Sequence, residues 1–160
     1  PDRAQCAVHD LSKLLRYVLY ESNLPTVAIE KEMDFVRNYV ELMRIRLPES
    51  TDLKIAIDVQ EAGLPIAPLL FISLIENAFK HGVSHSGASY IWINLQESEG
   101  SVRCDIENSY FPKDSADRSG SGIGLTNLRK RLELIYPGKY TFSAQREGAS
   151  YHVKLNLQIK

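Results

Sequence analysis

The hydrophobic period of this chain switches at Pro48. Upstream, Leu11, Leu14, Leu15, Val18 and Leu19 recur at helical spacing within residues 9–22. After the break Asn23-Leu24-Pro25-Thr26, the same spacing returns with Ile29, Met33, Val36, Tyr39, Val40, Met43 and Leu47. This predicts a second helix over 27–47, with Thr26 as N-cap, Glu30 in the first turn and Pro48 as its stop. Downstream, Leu53, Ile55, Ile57 and Val59 alternate with Lys54 and Asp58, the period of a strand. Both periods in one chain mean helices packed on a sheet.

Residues 66–82 are apolar nearly all round and then turn polar, which predicts a buried helix with a chemically loaded last turn before Gly82. Residues 88–97 and 102–108 read as strands joined at Ser98–Ser101, a hairpin. The aperiodic stretch 109–122 holds Pro, Asp, Ser and Gly and reads as a lid-like loop. A helix over 123–136 closes at Pro137-Gly138, and strands 141–147 and 151–159 turn at Gly148. Strands paired in sequence and interleaved with helices predict an α+β fold, a two-layer α/β sandwich whose mixed sheet is covered by helices on one face.

The chain has 160 residues, the size of one domain or one domain plus a short appendage. Its 44% hydrophobic and 24% charged residues exclude a disordered chain. Nineteen Lys+Arg against 20 Asp+Glu leave a net charge of −1, without the basic field that bulk nucleic-acid binding needs. Cys6 and Cys104 have neither metal-ligand nor redox-pair spacing and read as reduced thiols of a cytoplasmic domain. No apolar run is long enough to span a membrane, so no direct membrane contact is expected. The start, PDRAQCAVHD, lacks a signal-peptide pattern and an initiator Met and reads as part of a longer protein.

Three segments break the core pattern. In Glu76-Asn77-Ala78-Phe79-Lys80-His81-Gly82, the residues Asn77, Lys80 and His81 fall at i, i+3 and i+4 on one helical face. An amide oxygen suits Mg²⁺, Lys80 offers a point charge for a phosphate and His81 a donor. A solvated last turn, with Lys and His favoured by the C-terminal dipole, is the alternative. Ser119-Gly120-Ser121-Gly122-Ile123-Gly124-Leu125 runs into a helix, where free N–H groups can meet a phosphate; a flexible linker is the alternative. In Ile106-Glu107-Asn108-Ser109 a polar residue ends a strand, either to meet a base edge or to terminate the strand.

In this order, the segments resemble the ATP-binding domain of the gyrase/chaperone/histidine-kinase (GHKL) superfamily, the Bergerat fold. The similarity is closest to LytS-like sensor histidine kinases of the autolysin-regulator type. It is carried by Pro68-Leu69-Leu70, by Leu74-Ile75-Glu76-Asn77-Ala78-Phe79-Lys80-His81-Gly82 and by Gly120-Ser121-Gly122-Ile123-Gly124-Leu125-Thr126-Asn127-Leu128-Arg129-Lys130-Arg131-Leu132. Leu11-Ser12…Leu14-Leu15-Arg16-Tyr17 also matches. The resemblance implies that residues 1–47 close a helical dimerisation region and 48–160 form the ATP-binding domain. It makes Asn77 the Mg²⁺ ligand, places the catalytic candidates Glu76, Lys80 and His81 beside the triphosphate, and lets Gly120, Gly122, Ile123, Gly124 and Leu125 cradle the phosphates. Residues 109–121 become the ATP lid, and Asn108 takes the adenine-binding place. Asn127 and Arg131 belong to the motif without a derivable contact.

The implied cofactors are ATP and Mg²⁺. The implied partners are a second copy in the full-length kinase and a response regulator with a phospho-accepting Asp. The implied location is the cytoplasmic part of a bacterial inner-membrane sensor. The superfamily usually carries Asp in a DxGxG motif where Asn108 stands, and here the glycines give way to Ser109 and Phe111-Pro112. The family's phosphorylated His motif is absent, so the phosphoacceptor is expected upstream of residue 1; His9, His85 and His152 read as surface residues. A nucleotide-sensing pseudokinase, a helical interaction protein and a chaperone-type ATPase are the rivals. ATP-hydrolysing relatives carry a Glu four residues before the Asn, where this chain has Ser73, a poor base.

Overall fold

The computed structural model describes residues 2–111 and 118–160. Helix α1 (Asp2–Arg16) runs into a π-helical turn (Tyr17–Glu21). There follow β1 (Val27–Ala28), α2 (Ile29–Arg44), β2 (Thr51–Val59), β3 (Pro65–Ile66) and α3 (Ile72–Gly82). The chain ends with β4 (Ser89–Ser98), β5 (Ser101–Ser109), α4 (Arg118–Ile135), β6 (Tyr140–Glu147) and β7 (Ser150–Gln158).

Five strands form one sheet in the order β2-β4-β5-β7-β6. The pair β2–β4 is parallel and the others antiparallel, so the sheet is mixed, as expected. The register aligns Ile93 with Ile106 and Val153, and Leu95 with Cys104 and Leu155. These rows share one face and are buried under Leu74, Ile75 and Ala78 of α3 and Leu128 and Leu132 of α4. Each such side chain, fully buried, contributes roughly 1.5–3 kcal/mol. The other face carries Lys54, Trp92, Asn94 and Asp105 and is open enough to leave Trp92 39% exposed. The β4–β5 turn places Glu99 and Gly100 at φ 53° and 79°, the double positive φ of a two-residue hairpin.

Four boundaries differ from the sequence expectation, and tertiary contacts account for those of α2 and α3. Helix α1 begins at Asp2 rather than near residue 9. Thr26 does not cap α2; the N-cap is Ala28, without a side-chain bond. Instead Ile29 and Glu30 donate their N–H groups to Leu64 O and Ala62 O at 2.8 and 3.1 Å, so a distant loop satisfies the helix end. Helix α3 begins at Ile72 rather than 66, because Pro65-Ile66 pairs with Val27-Ala28 and Pro68 disfavours the helical region for the residue before it. Residues 67–71 form a strap of turn and bend ahead of the helix, with Leu69 at φ 61°. Helix α4 begins at Arg118, so Gly120, Gly122 and Ile123 fall within it rather than in a preceding loop. Of the expected lid, residues 112–117 lie outside the described residues.

Candidate functional site

Helix α3 lies against β4 and β5, and its end approaches β5 closely. A Cβ on Gly82 would stand 2.9 Å from Asn108 Cβ and 3.1 Å from Ile91 Cγ1, so only glycine fits. The contact is fastened by Ser109, whose hydroxyl donates to Gly82 O at 2.6 Å and accepts the Tyr90 N–H at 3.0 Å. Asn108 is thereby held 1% exposed. Its Nδ2 donates to Ser109 O at 2.7 Å, while its Oδ1 is buried with no partner among the described residues. A buried acceptor without a donor costs about 1–3 kcal/mol.

The polar end of α3 divides into two sides. Successive residues step about 100° around a helix. Asn77 and His81, at i and i+4, therefore sit about 40° apart on one flank. His81 is buried with its ring 5.8 Å from that of Tyr110, and its carbonyl accepts the Phe111 N–H at 3.2 Å. Tyr110 in turn stacks on Tyr151 and lies under the Arg146 guanidinium, 4.7 Å from its ring centre. Asn77 is half-buried.

Glu76 and Lys80 are exposed and line a groove of about 330 Å³ with Tyr39, Met43, Arg46, Phe79 and His85. Burial, reinforced by the Glu76 carboxylate and opposed by Arg46, pushes the Tyr39 hydroxyl up to about 12. The structure thus gathers His81, Gly82 and Asn108 at the α3–β5 corner, keeps Asn77 one turn earlier on the His81 flank, and turns Glu76 and Lys80 toward α2. Ser73, one turn before Asn77, is half-buried. His9 and His85 are exposed, as expected, whereas His152 is half-buried between Glu107 and Glu147, at 3.3 and 3.6 Å.

Helix α4 packs beside α3. Leu128 and Leu132 form its inward stripe, and Gly124 continues that stripe one turn earlier. A Cβ at Gly124 would meet nothing within 4 Å among the described residues, so none of these closes the stripe at this point. Leu125 is half-buried behind it.

Sequence reasoning left two residues without a role. Arg131 donates from Nη1 to Leu69 O at 3.2 Å and from Nη2 to Pro68 O at 2.9 Å. Glu32 is fully buried; its Oε2 accepts the Tyr17 hydroxyl and, at 3.1 Å, the Leu69 N–H. Burial raises the Glu32 carboxyl above its ordinary range against the pull of these donors and of Arg131. A visible signal existed: Glu32 falls at i+3 of Ile29 on an otherwise apolar stripe, the mark of a charge that needs a buried partner.

Comparison with known proteins points to histidine kinases. The family model described as histidine kinase matches residues 1–51. The sensor histidine kinase YpdA of Escherichia coli is 28% identical over 145 residues, 85% of this chain and 26% of that protein. The sensor histidine kinase/phosphatase LytS of Staphylococcus aureus is 24% identical over 148 residues, 84% of this chain and 25% of that protein. The chain thus spans about a quarter of the length of these relatives. Among solved structures, the histidine kinase domain of the blue-light activated kinase of Erythrobacter litoralis superposes with TM-score 0.60 at 13% identity, covering 97% of this chain and 74% of that one. Full-length ShkA in complex with AMPPNP superposes with TM-score 0.57 at 17% identity, covering 98% of this chain and 36% of that one.

The fold is that of a histidine kinase catalytic domain. Within that class the chain is a relative of the LytS-like sensor histidine kinases, as its motifs imply.

Proposed function

We propose that this chain is the catalytic ATP-binding region of a two-component sensor histidine kinase, donating the γ-phosphoryl group of Mg·ATP to a histidine on an upstream helix. The observation that carries the reading is the adjacency of α3 and α4 on one face of the sheet, with Asn77 on the first and Gly124 on the second. Bound ATP supplies the phosphoryl group, and Mg²⁺ neutralises its charge. The residues fit both. The Asn77 amide oxygen is the hard donor that Mg²⁺ prefers. The partnerless Oδ1 of Asn108 can accept the exocyclic amino hydrogen of adenine. Gly120 lies in the first turn of α4, where the backbone N–H groups are free for phosphate oxygens, and Gly122, Ile123, Gly124 and Leu125 follow it along the helix.

His81 flanks Asn77 on the buried side, and Lys80 flanks it on the exposed side, where its long stem can swing toward phosphate. Glu76, about 100° from Asn77, keeps company with Tyr39 and Arg46 and is the catalytic candidate farthest from that flank.

Val8, Leu11 and Leu15 are exposed on α1 at 3-4 spacing, with Val18 exposed in the π turn after it, a seam suited to a second copy of the helix. In this reading residues 1–47 end the dimerisation region, the downstream acceptor is the Asp of a response regulator, and the location is the cytoplasmic side of a bacterial membrane sensor. No helix among the described residues is long and apolar enough to cross a membrane. The Asn at 108, where the superfamily carries Asp, favours one second reading, a pseudokinase that senses nucleotide without transferring phosphate.

Titration with a fluorescent ATP analogue, with and without Mg²⁺, tests the proposal. Binding that needs Mg²⁺ and weakens at least about tenfold in Asn77→Ala is expected, a loss of 1.4 kcal/mol or more. Mg²⁺-independent binding unaffected by that change contradicts it.

A further inference from the structure

The strap that leads into α3 is gripped from both sides. From one side, the buried Glu32 of α2 accepts the Leu69 N–H at 3.1 Å and the Tyr17 hydroxyl on the same oxygen. From the other, Arg131 of α4 holds Pro68 O and Leu69 O at 2.9 and 3.2 Å. The Tyr136 hydroxyl, just past the end of α4, accepts the Ala67 N–H at 2.9 Å. Three consecutive strap residues are therefore bonded to α4 or the residue just after it, and the last of them, Leu69, is also linked to the π turn through Glu32.

Two members of this chain of bonds sit in uncommon backbone conformations. Leu69 holds φ 61°, a left-handed value that a leucine adopts only when its surroundings enforce it. Tyr17 begins the π turn, whose Ser22 N–H reaches back to Tyr17 O at 3.0 Å. Such turns are rare and recur at functional sites. The Tyr17 ring is fixed by stacking on Phe35, 4.6 Å between centres.

We infer that Tyr17, Glu32, Leu69 and Arg131 form a relay in which the conformation of the α1 end sets the position of α4 relative to α3. Displacing Tyr17 releases Glu32, Glu32 releases the Leu69 peptide, and Arg131 loses the two carbonyls that anchor the middle of α4. Arg131 and Glu32 are positioning residues: neither lies at the Asn77 flank, yet both fix the spacing of the two helices that border it. That the relay governs nucleotide affinity rests on the Mg·ATP reading of that site.

Hydrogen exchange of the whole chain without nucleotide tests the coupling itself. Tyr17→Phe keeps the ring and removes the hydroxyl. It should speed exchange in residues 124–135 of α4 by about fivefold, the lower end of typical coupling between sites. Tyr39→Phe, on α2 but without a hydroxyl hydrogen bond among the described residues, should leave α4 unchanged. Arg131→Lys cannot hold both carbonyls and should reproduce the effect, and adding Tyr17→Phe to it should add nothing further. Glu32→Leu, which keeps the volume and removes the acceptor, serves in place of Tyr17→Phe should that variant melt early.

Faster exchange confined to α1, the π turn and α2 overturns the relay. So does an equal response to Tyr39→Phe, or additivity of the Tyr17 and Arg131 changes. In a second arm, Tyr17→Phe should raise the Kd for a nonhydrolysable Mg·ATP analogue about fivefold. If the unaltered chain fails to bind the analogue, the nucleotide reading falls while the exchange result still decides the relay.

Discussion

Replacing Gly82 with alanine inserts one methyl group where α3 meets β4 and β5. The new carbon would lie 2.9 Å from Asn108 Cβ, 3.1 Å from Ile91 Cγ1 and 3.2 Å from Asn108 Nδ2. The two nearest contacts sit close to backbone that is fixed, since Asn108 and Ile91 lie opposite one another on paired strands, and the Asn108 amide is held by its bond to Ser109 O. Overpacking of this kind costs about 1–3 kcal/mol. Alanine returns up to about 1 kcal/mol through helix propensity, less at a helix end. The net loss is about 1–2 kcal/mol, which for a domain of this size lowers Tm by about 2–8 °C.

Asn108 must also shift, so binding of the ATP analogue should weaken beyond what the fall in stability explains. Urea unfolding with fluorescence detection and an analogue titration at a temperature well below Tm measure the two effects. Gly63→Ala is the control: a Cβ there meets nothing within 4 Å. A Gly82→Ala chain as stable as the control, with unchanged binding, refutes the claim that close approach at the α3–β5 corner shapes the site.

Glu32 provides a pH test. Its carboxyl is raised in the folded chain, so above about 4.5 the fold retains a proton that the unfolded chain has released. Stability therefore falls as pH rises through that window, and Glu32→Gln removes this slope. Unfolding of both chains from pH 4.5 to 8 should show the balance moving in favour of the glutamine variant; a constant difference contradicts it. Cys6 is exposed, whereas Cys104 is buried and its thiol is pushed up, first by burial and then by Asp105. One thiol per native chain should react promptly with an aromatic disulfide reagent and two in denaturant; two fast thiols in the native chain would be contrary. With Ser73 one turn before Asn77, no useful base stands ready to activate water, and ATP turnover by this chain should be negligible. Steady hydrolysis that disappears in Glu76→Ala would count against that view.

The sheet, its mixed character and the helical layer were legible because strand alternation is local and strong in residues 53–59, 88–97 and 102–108. The helix ends were less so, because tertiary bonds set them: Ala62 and Leu64 cap α2, and β1 draws Pro65-Ile66 out of helix. The candidate site was legible as a motif, but its division was not. Heptad-like spacing put Asn77, Lys80 and His81 together, and only the packing of Tyr39 and Arg46 shows that Lys80 and Glu76 share a separate groove. Arg131 was unreadable from the motif alone, since its partners are backbone carbonyls 62 and 63 residues away and carry no side-chain signature.

A structure of the chain with Mg²⁺ and a nonhydrolysable ATP analogue tests the central claim most directly. The account predicts the metal on the Asn77 amide oxygen, phosphate oxygens at the α4 backbone near Gly124 and the adenine amino group on Asn108 Oδ1. An analogue seated in the groove of Tyr39 and Arg46, or on the open face of the sheet beside Trp92, would contradict it.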